Sequence, residues 1–178
     1  MTNQTVNNQT NYSAVNPSLL VKADDNKYLL SEPVSTKQMY KLMLSLLEKE
    51  YFRTDQLTSP DKTRQYLQVK LAQYEQEVFC CIYLDSQHNV IGFEELFTGG
   101  LDSCSVYPRQ VVKRCLHYNA AAVVFSHNHP SGDPLPSNAD EVITKRLKDA
   151  LALVDIRVLD HIVVGGAKTI SFAEQGLI

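Results

Sequence analysis

The chain has 178 residues, is 44% hydrophobic and 21% charged, and carries a formal net charge of −3. That is globular composition with room for one ordinary domain and an appendage, and the mild acidity argues against a strongly basic nucleic-acid binder. No apolar run approaches the roughly 20 residues that span a bilayer, and the amino terminus, MTNQTVNNQT, lacks the cationic start and apolar stretch of an export signal, so a cytoplasmic location is expected.

Nine of the first twelve residues are Asn, Gln or Thr. Such a segment buries too little apolar surface to offset the entropy of ordering, and residues 1–34 are expected to form a disordered or irregular tail. Residues 35–58 follow as an amphipathic helix and linker. Met39, Leu42, Met43, Leu46 and Leu47 recur there at helical spacing as far as about Tyr51.

Ser59-Pro60 is a helix start, with Ser as N-cap and Pro in the first turn, and it opens a compact domain spanning 59–178. Glu77 to Asp85 (EVFCCIYLD) and Val90 to Phe97, joined by a polar turn, read as a β-hairpin. Pro108 begins a helix with an apolar face of Val111, Val112, Cys115 and Leu116. The run Ala121 to Ser126 reads as a strand covered on both faces, ending at His127. A helix over about 138–153 and two short strands, Ile156 to Val164 and Thr169 to Phe172, complete the domain. This order implies an α/β fold, a mixed sheet flanked by helices, with the histidines at a strand's carboxyl end, where such sheets place their ligands. Cys80, Cys81, Cys104 and Cys115 form no C-x-x-C pair and read as reduced thiols.

The segment SHNHPSGDPLPSNAD contains His127, one residue, His129, seven residues, Ser137, two residues, Asp140. Residues two apart in an extended chain share a face, so both imidazoles can reach one point. Two imidazoles at one point suggest Zn2+. Asp140, in the first turn of the next helix, is the candidate third ligand, which leaves a fourth position for water. A carboxylate facing that water would complete hydrolytic chemistry. Ser137 and Asp140 also satisfy the S-x-x-D/E pattern of a helix capping box, and that role is compatible with catalysis.

H-x-H, seven residues, S-x-x-D resembles the signature of the JAMM (MPN+) metalloprotease family. Surrounding stretches look like its bacterial RadC branch: Glu94-Glu95-Leu96-Phe97 with Gly99 following, Val106-Tyr107-Pro108-Arg109, Asn119-Ala120-Ala121-Ala122, His127 to Gly132, Ile156-Arg157-Val158 and Asp160-His161. The resemblance covers about residues 59–178. It implies an MPN/JAB-type, cytidine-deaminase-like sandwich, with His127, His129 and Asp140 on zinc and Ser137 stabilising the oxyanion. It further implies an upstream glutamate as general base, at Glu94 or Glu95, which alternation sends to opposite faces. Glu94 fits the family's E-x-L-F spacing. Asp160 and His161 are candidates for the layer behind the ligands, or for a structural pair, and Arg109 for a substrate contact or an ion pair.

Two departures stand out. Gly99-Gly100 replaces the branch's usual Gly-Thr, and residues 1–58 hold too few glycines for the helix-hairpin-helix module common in RadC proteins. The leading expectation is a zinc-dependent amide hydrolase, a metallopeptidase or isopeptidase acting on a protein or peptide. The alternative is a DNA repair or replication accessory protein, for which only scattered basic residues such as Lys113, Arg114, Lys145, Arg146 and Lys148 speak. A zinc-stabilised scaffold without turnover is a third. Substrate and oligomeric state are open at this level.

Overall fold

The computed structural model describes residues 19–24, 27–51, 60–99 and 105–178. The chain divides into two units, Met1–Leu46 and Leu47–Ile178.

In the first unit, β1 (Leu20–Asp24) and β2 (Lys27–Leu30) pair antiparallel, with Leu20 opposite Leu30 and Val21 opposite Leu29. This corrects the expectation of an irregular tail over that stretch. Aliphatic and aromatic residues at Leu20, Val21, Tyr28, Leu29 and Leu30 suit strands, a local signal hidden by the polar average. The tail expected over residues 1–18 lies outside the described residues. Helix α1 (Thr36–Tyr51) begins at a capping box: the Ser35 backbone N–H donates to Gln38 Oε1 (2.8 Å) and the Gln38 N–H to Ser35 Oγ (3.3 Å). Among its described side chains Leu42 and Leu44 are buried, whereas Met39 and Met43, placed in the apolar stripe by spacing, are exposed.

The second unit contains α2 (Pro60–Leu71), β3 (Val78–Leu84), β4 (Val90–Thr98), α3 (Pro108–His117), β5 (Ala122–Asn128), α4 (Asn138–Ala152), β6 (Arg157–Gly165) and β7 (Lys168–Ser171). The five strands form one sheet in the order β4-β3-β5-β6-β7, with β5 and β6 parallel and every other pair antiparallel. The α/β fold with a mixed sheet flanked by helices is thus present. One face carries Phe79, Cys81 and Tyr83 of β3 with Val123 and Phe125 of β5, packed on Val111 and Cys115 of α3 and Leu147 and Leu151 of α4. The opposite face meets α2, where Tyr66 stands edge-on to Phe93 of β4.

Two details differ from the sequence reading. Strand β5 runs on through His127 and Asn128, all seven residues buried, because Phe79 pairs with His127 and Val164 with Asn128. Leu116 is exposed, since α3 turns only Val111 and Cys115 fully inward. Cys80, Cys81 and Cys115 are buried free thiols as expected, while Cys104 lies outside the described residues.

No described helix is long and apolar enough to cross a membrane. At the end of β6, Gly165 lies against the backbone of the loop after β5: a Cβ there would stand 2.7 Å from both the Asp133 carbonyl carbon and the Gly132 oxygen. Backbone cannot yield as a side-chain tip can, so Gly165→Ala should cost about 1–3 kcal/mol in denaturant unfolding. An unchanged unfolding midpoint would show that the loop gives way freely.

Candidate metal centre

Strand β5 delivers His127, the residue after it brings His129, and the first turn of α4 brings Asp140. Ligand atoms from these three side chains all lie within 4.8 Å of one another. His127 Nε2 is 3.0 Å from His129 Nε2, and Asp140 places Oδ1 3.3 Å from His127 Nε2 and Oδ2 3.5 Å from His129 Nε2. Tetrahedral ligands bound at about 2.0–2.1 Å stand about 3.3 Å apart, so the triangle has the size of one face of a zinc site.

Hydrogen-bond directions strengthen the fit. A carbonyl only accepts, so His129 Nδ1 donates to the Asp133 oxygen at 2.8 Å and a neutral His129 keeps a bare Nε2. Thr144 spends its hydroxyl proton on the Asp140 carbonyl (2.5 Å), so it accepts from His161 Nδ1 at 2.6 Å. His161 Nε2 is then an acceptor for His127 Nδ1–H at 2.8 Å, which leaves His127 Nε2 bare as well. Two lone pairs and a carboxylate converge on one point. Only a cation or a proton reconciles them, and the donor set suits zinc.

Electrostatics agree. Burial pushes the Asp140 carboxyl upward, but hydrogen bonds with His127 and His129 outweigh it and hold the group well below the usual carboxylate range. His129 is raised, chiefly by its hydrogen bond to Asp140. His161 is pushed well down by complete burial and is a neutral imidazole.

Ser137 N-caps α4 in a complete capping box: its backbone N–H and hydroxyl both donate to Asp140 Oδ2 at 2.7 Å, and the Asp140 N–H donates to Ser137 Oγ at 3.2 Å. The box orients the ligand carboxylate while starting the helix.

Glu94 is not at this site. It shares the face of Cys81, opposite which it pairs, but its carboxylate is held by the Arg114 guanidinium and by the Tyr83 hydroxyl at 3.1 Å. Glu95 faces the other side, with Lys70 Nζ 3.8 Å away. The acid that does feel the centre is Glu77, immediately before β3. Burial raises its pKa, the Asp140 carboxylate raises it further, and His127 and His129 lower it. Because Phe79 pairs with His127 on antiparallel strands, Glu77 lies two residues beyond, on the same face, toward His129. Asn128 secures it: Oδ1 accepts from the Val78 N–H at 2.8 Å and Nδ2 donates to the Gln76 carbonyl at 3.0 Å, on both sides of Glu77. The sequence signal was an acid two residues before a core-facing Phe, at the start of the strand that pairs with the histidine strand.

Asp160 and His161 part company. Asp160 accepts from the His161 and Ala173 backbone N–H groups and from the Ser171 hydroxyl, so it ties β6 to the end of β7. His161 alone backs a ligand. Arg109 is exposed in the first turn of α3.

A mixed-sheet α/β unit with a His-His-Asp metal-capable centre defines the class. Residues 57–177 match the RadC-like JAB domain, and the chain belongs to that family. It is 53% identical over 151 residues to a UPF0758 protein of Vibrio cholerae, covering 85% of this chain and 95% of that one. Another UPF0758 protein of the same organism is 60% identical over 131 residues, 74% of this chain and 83% of its own length. One from Nitrosococcus oceani is 59% identical over 132 residues, 74% of this chain and 59% of its own length. The chain therefore spans under two thirds of that longer relative.

Two outcomes follow from the geometry. Asn128→Ala strands the Val78 N–H and the Gln76 carbonyl, at about 1–3 kcal/mol each, and should lower the denaturant midpoint accordingly; no change would remove the clamp. Because His129 holds its proton to higher pH than free imidazole, a metal must displace that proton more often as pH falls. Zinc uptake at about pH 6 should thus release more protons, and be weaker, than at about pH 8, as calorimetry in buffers of different ionisation enthalpy would record. Release independent of pH would contradict it.

Proposed function

We propose that this chain is a zinc-dependent amide hydrolase, a metallopeptidase or isopeptidase acting on a protein or peptide. The observation that carries the reading is the convergence of His127 Nε2, His129 Nε2 and an Asp140 carboxylate oxygen, with Glu77 in register on the same sheet face and electrostatically coupled to all three. Zinc held there would supply Lewis acidity, lowering the pKa of a bound water toward neutrality and polarising a carbonyl.

The chain's own residues supply the rest. Glu77, half-buried and raised in pKa, takes the proton of the attacking water and returns it to the departing amine nitrogen. Glu94 is spent on Arg114 and Tyr83, so the base assignment moves to Glu77. Ser137 turns its exposed hydroxyl from Asp140 to the carbonyl oxygen as charge develops, while its Oγ still caps α4 by accepting from the Asp140 N–H. Arg114, a residue that a nucleic-acid reading would need free, is committed to Glu94.

Amide turnover is assayed on zinc-loaded protein with a quenched fluorescent peptide library and lysine-linked isopeptides. Glu77→Gln should reduce turnover by about 10²–10⁴-fold while zinc stays bound. Glu94→Gln should keep turnover and lower the unfolding midpoint, because Arg114 loses its partner. The reverse pattern would return the base to Glu94, and no turnover of any amide by the wild-type protein would defeat the hydrolase reading.

A further inference from the structure

His161 is the buried group whose chemistry is least explained by packing. It is completely buried, boxed by the rings of Phe79, Phe125 and Phe172 at 5.5, 6.1 and 4.8 Å. An imidazole in such a box needs partners for both nitrogens, since water has little room to serve it. Both are present: Thr144 Oγ1 at Nδ1 (2.6 Å) and His127 Nδ1 at Nε2 (2.8 Å).

We propose that His161 is a positioning residue that fixes the tautomer of His127, in a one-way hydrogen-bond chain from His127 through His161 and Thr144 to the Asp140 backbone carbonyl. Direction is imposed from the far end. The Asp140 carbonyl can only accept, so Thr144 donates to it; Thr144 then accepts from His161, and His161 from His127. The chain therefore removes the proton from His127 Nε2, the atom aimed at the centre. It also closes a loop, because Asp140 contributes both the carbonyl that sets the direction and a carboxylate of the ligand set. A turn of α4 thus couples the position of one ligand to the protonation pattern of another. Outer partners of this kind commonly change metal affinity by about 10–100-fold.

The inference rests on the metal reading of the site but not on turnover, and the tests use the full chain with Zn2+ itself. Long-range proton–nitrogen spectra of metal-free wild-type protein at mildly alkaline pH should place the His127 proton on Nδ1 and the His161 proton on Nδ1. Zinc affinity, measured by competition with a chromogenic chelator, should fall about 10–100-fold in His161→Phe, which fills the box without an acceptor. His161→Gln, whose amide oxygen can stand near the place of Nε2, should recover most of that loss. Packing alone would not produce this rescue. Thr144→Val should weaken binding while Thr144→Ser keeps it, and this pair decides if His161→Phe does not fold. A His127 proton on Nε2, undiminished affinity in His161→Phe or Thr144→Val, or a His161→Gln protein no better than His161→Phe would each overturn the proposal. A wild-type chain that binds no zinc would instead sink the metallohydrolase reading, and the proton position on His127 would still decide the hydrogen-bond chain.

Discussion

Lone pairs aimed at one point repel one another, and the region around β5 and α4 is arranged to hold three donors in that unfavourable relation. His127 Nε2, His129 Nε2 and the Asp140 carboxylate stand 3.0–3.5 Å apart. Left to itself such a cluster would relax by rotating rings or taking up protons. Each escape is opposed by a hydrogen bond on the far side of the group: His161 behind His127, the Asp133 carbonyl behind His129, Ser137 behind Asp140. What remains favourable is a cation in the middle. The α4 amino terminus adds the positive end of a helix dipole beside the carboxylate.

The two histidines are held by different means. His127 belongs to a strand buried on both faces, and its backing comes from the core through His161 and Thr144. His129 is one residue beyond that strand, and its backing is a loop carbonyl whose place depends on Gly165 allowing close approach. One candidate ligand is therefore backed by the core and the other by a loop. The raised pKa of His129 fits this division, since in the metal-free state a proton on it can relieve the local concentration of acceptors.

How much of this was legible in the sequence follows from how far apart the cooperating residues lie in the chain. Three candidate ligands and the cap fall within fourteen residues, so strand, loop and helix-start signals sufficed to bring them together. The order of strands and helices was equally readable, because each element carries its own periodicity. The base was not. It depends on the register between β3 and β5, two strands about forty residues apart, and spacing from Leu96-Phe97 led to Glu94. Alternation put Glu94 on the correct face but too far along the sheet, where Arg114 and Tyr83 claim it. The β1–β2 hairpin was missed for another reason: composition averaged over residues 1–34 concealed a short run of strand-formers at 20–30.

Neighbours in sequence have parted repeatedly across this sheet. Glu94 pairs with Arg114 while Glu95 turns toward Lys70. Cys81 lies in the α3–α4 core cluster and Cys80, one residue earlier, does not. Asp160 ties β6 to the end of β7, whereas His161 backs the candidate metal ligand His127. In each case the period of two assigns adjacent side chains to different layers, so an adjacent pair of polar residues in a strand is two independent features rather than one motif. The same rule makes His127-Asn128-His129 informative. Its outer members share the face that meets α4 and converge on the centre, while the middle residue turns aside and uses both ends of its amide to fix the backbone around Glu77. A single extended tripeptide thus sets the candidate ligands and, by way of β3, the acid in register on their sheet face.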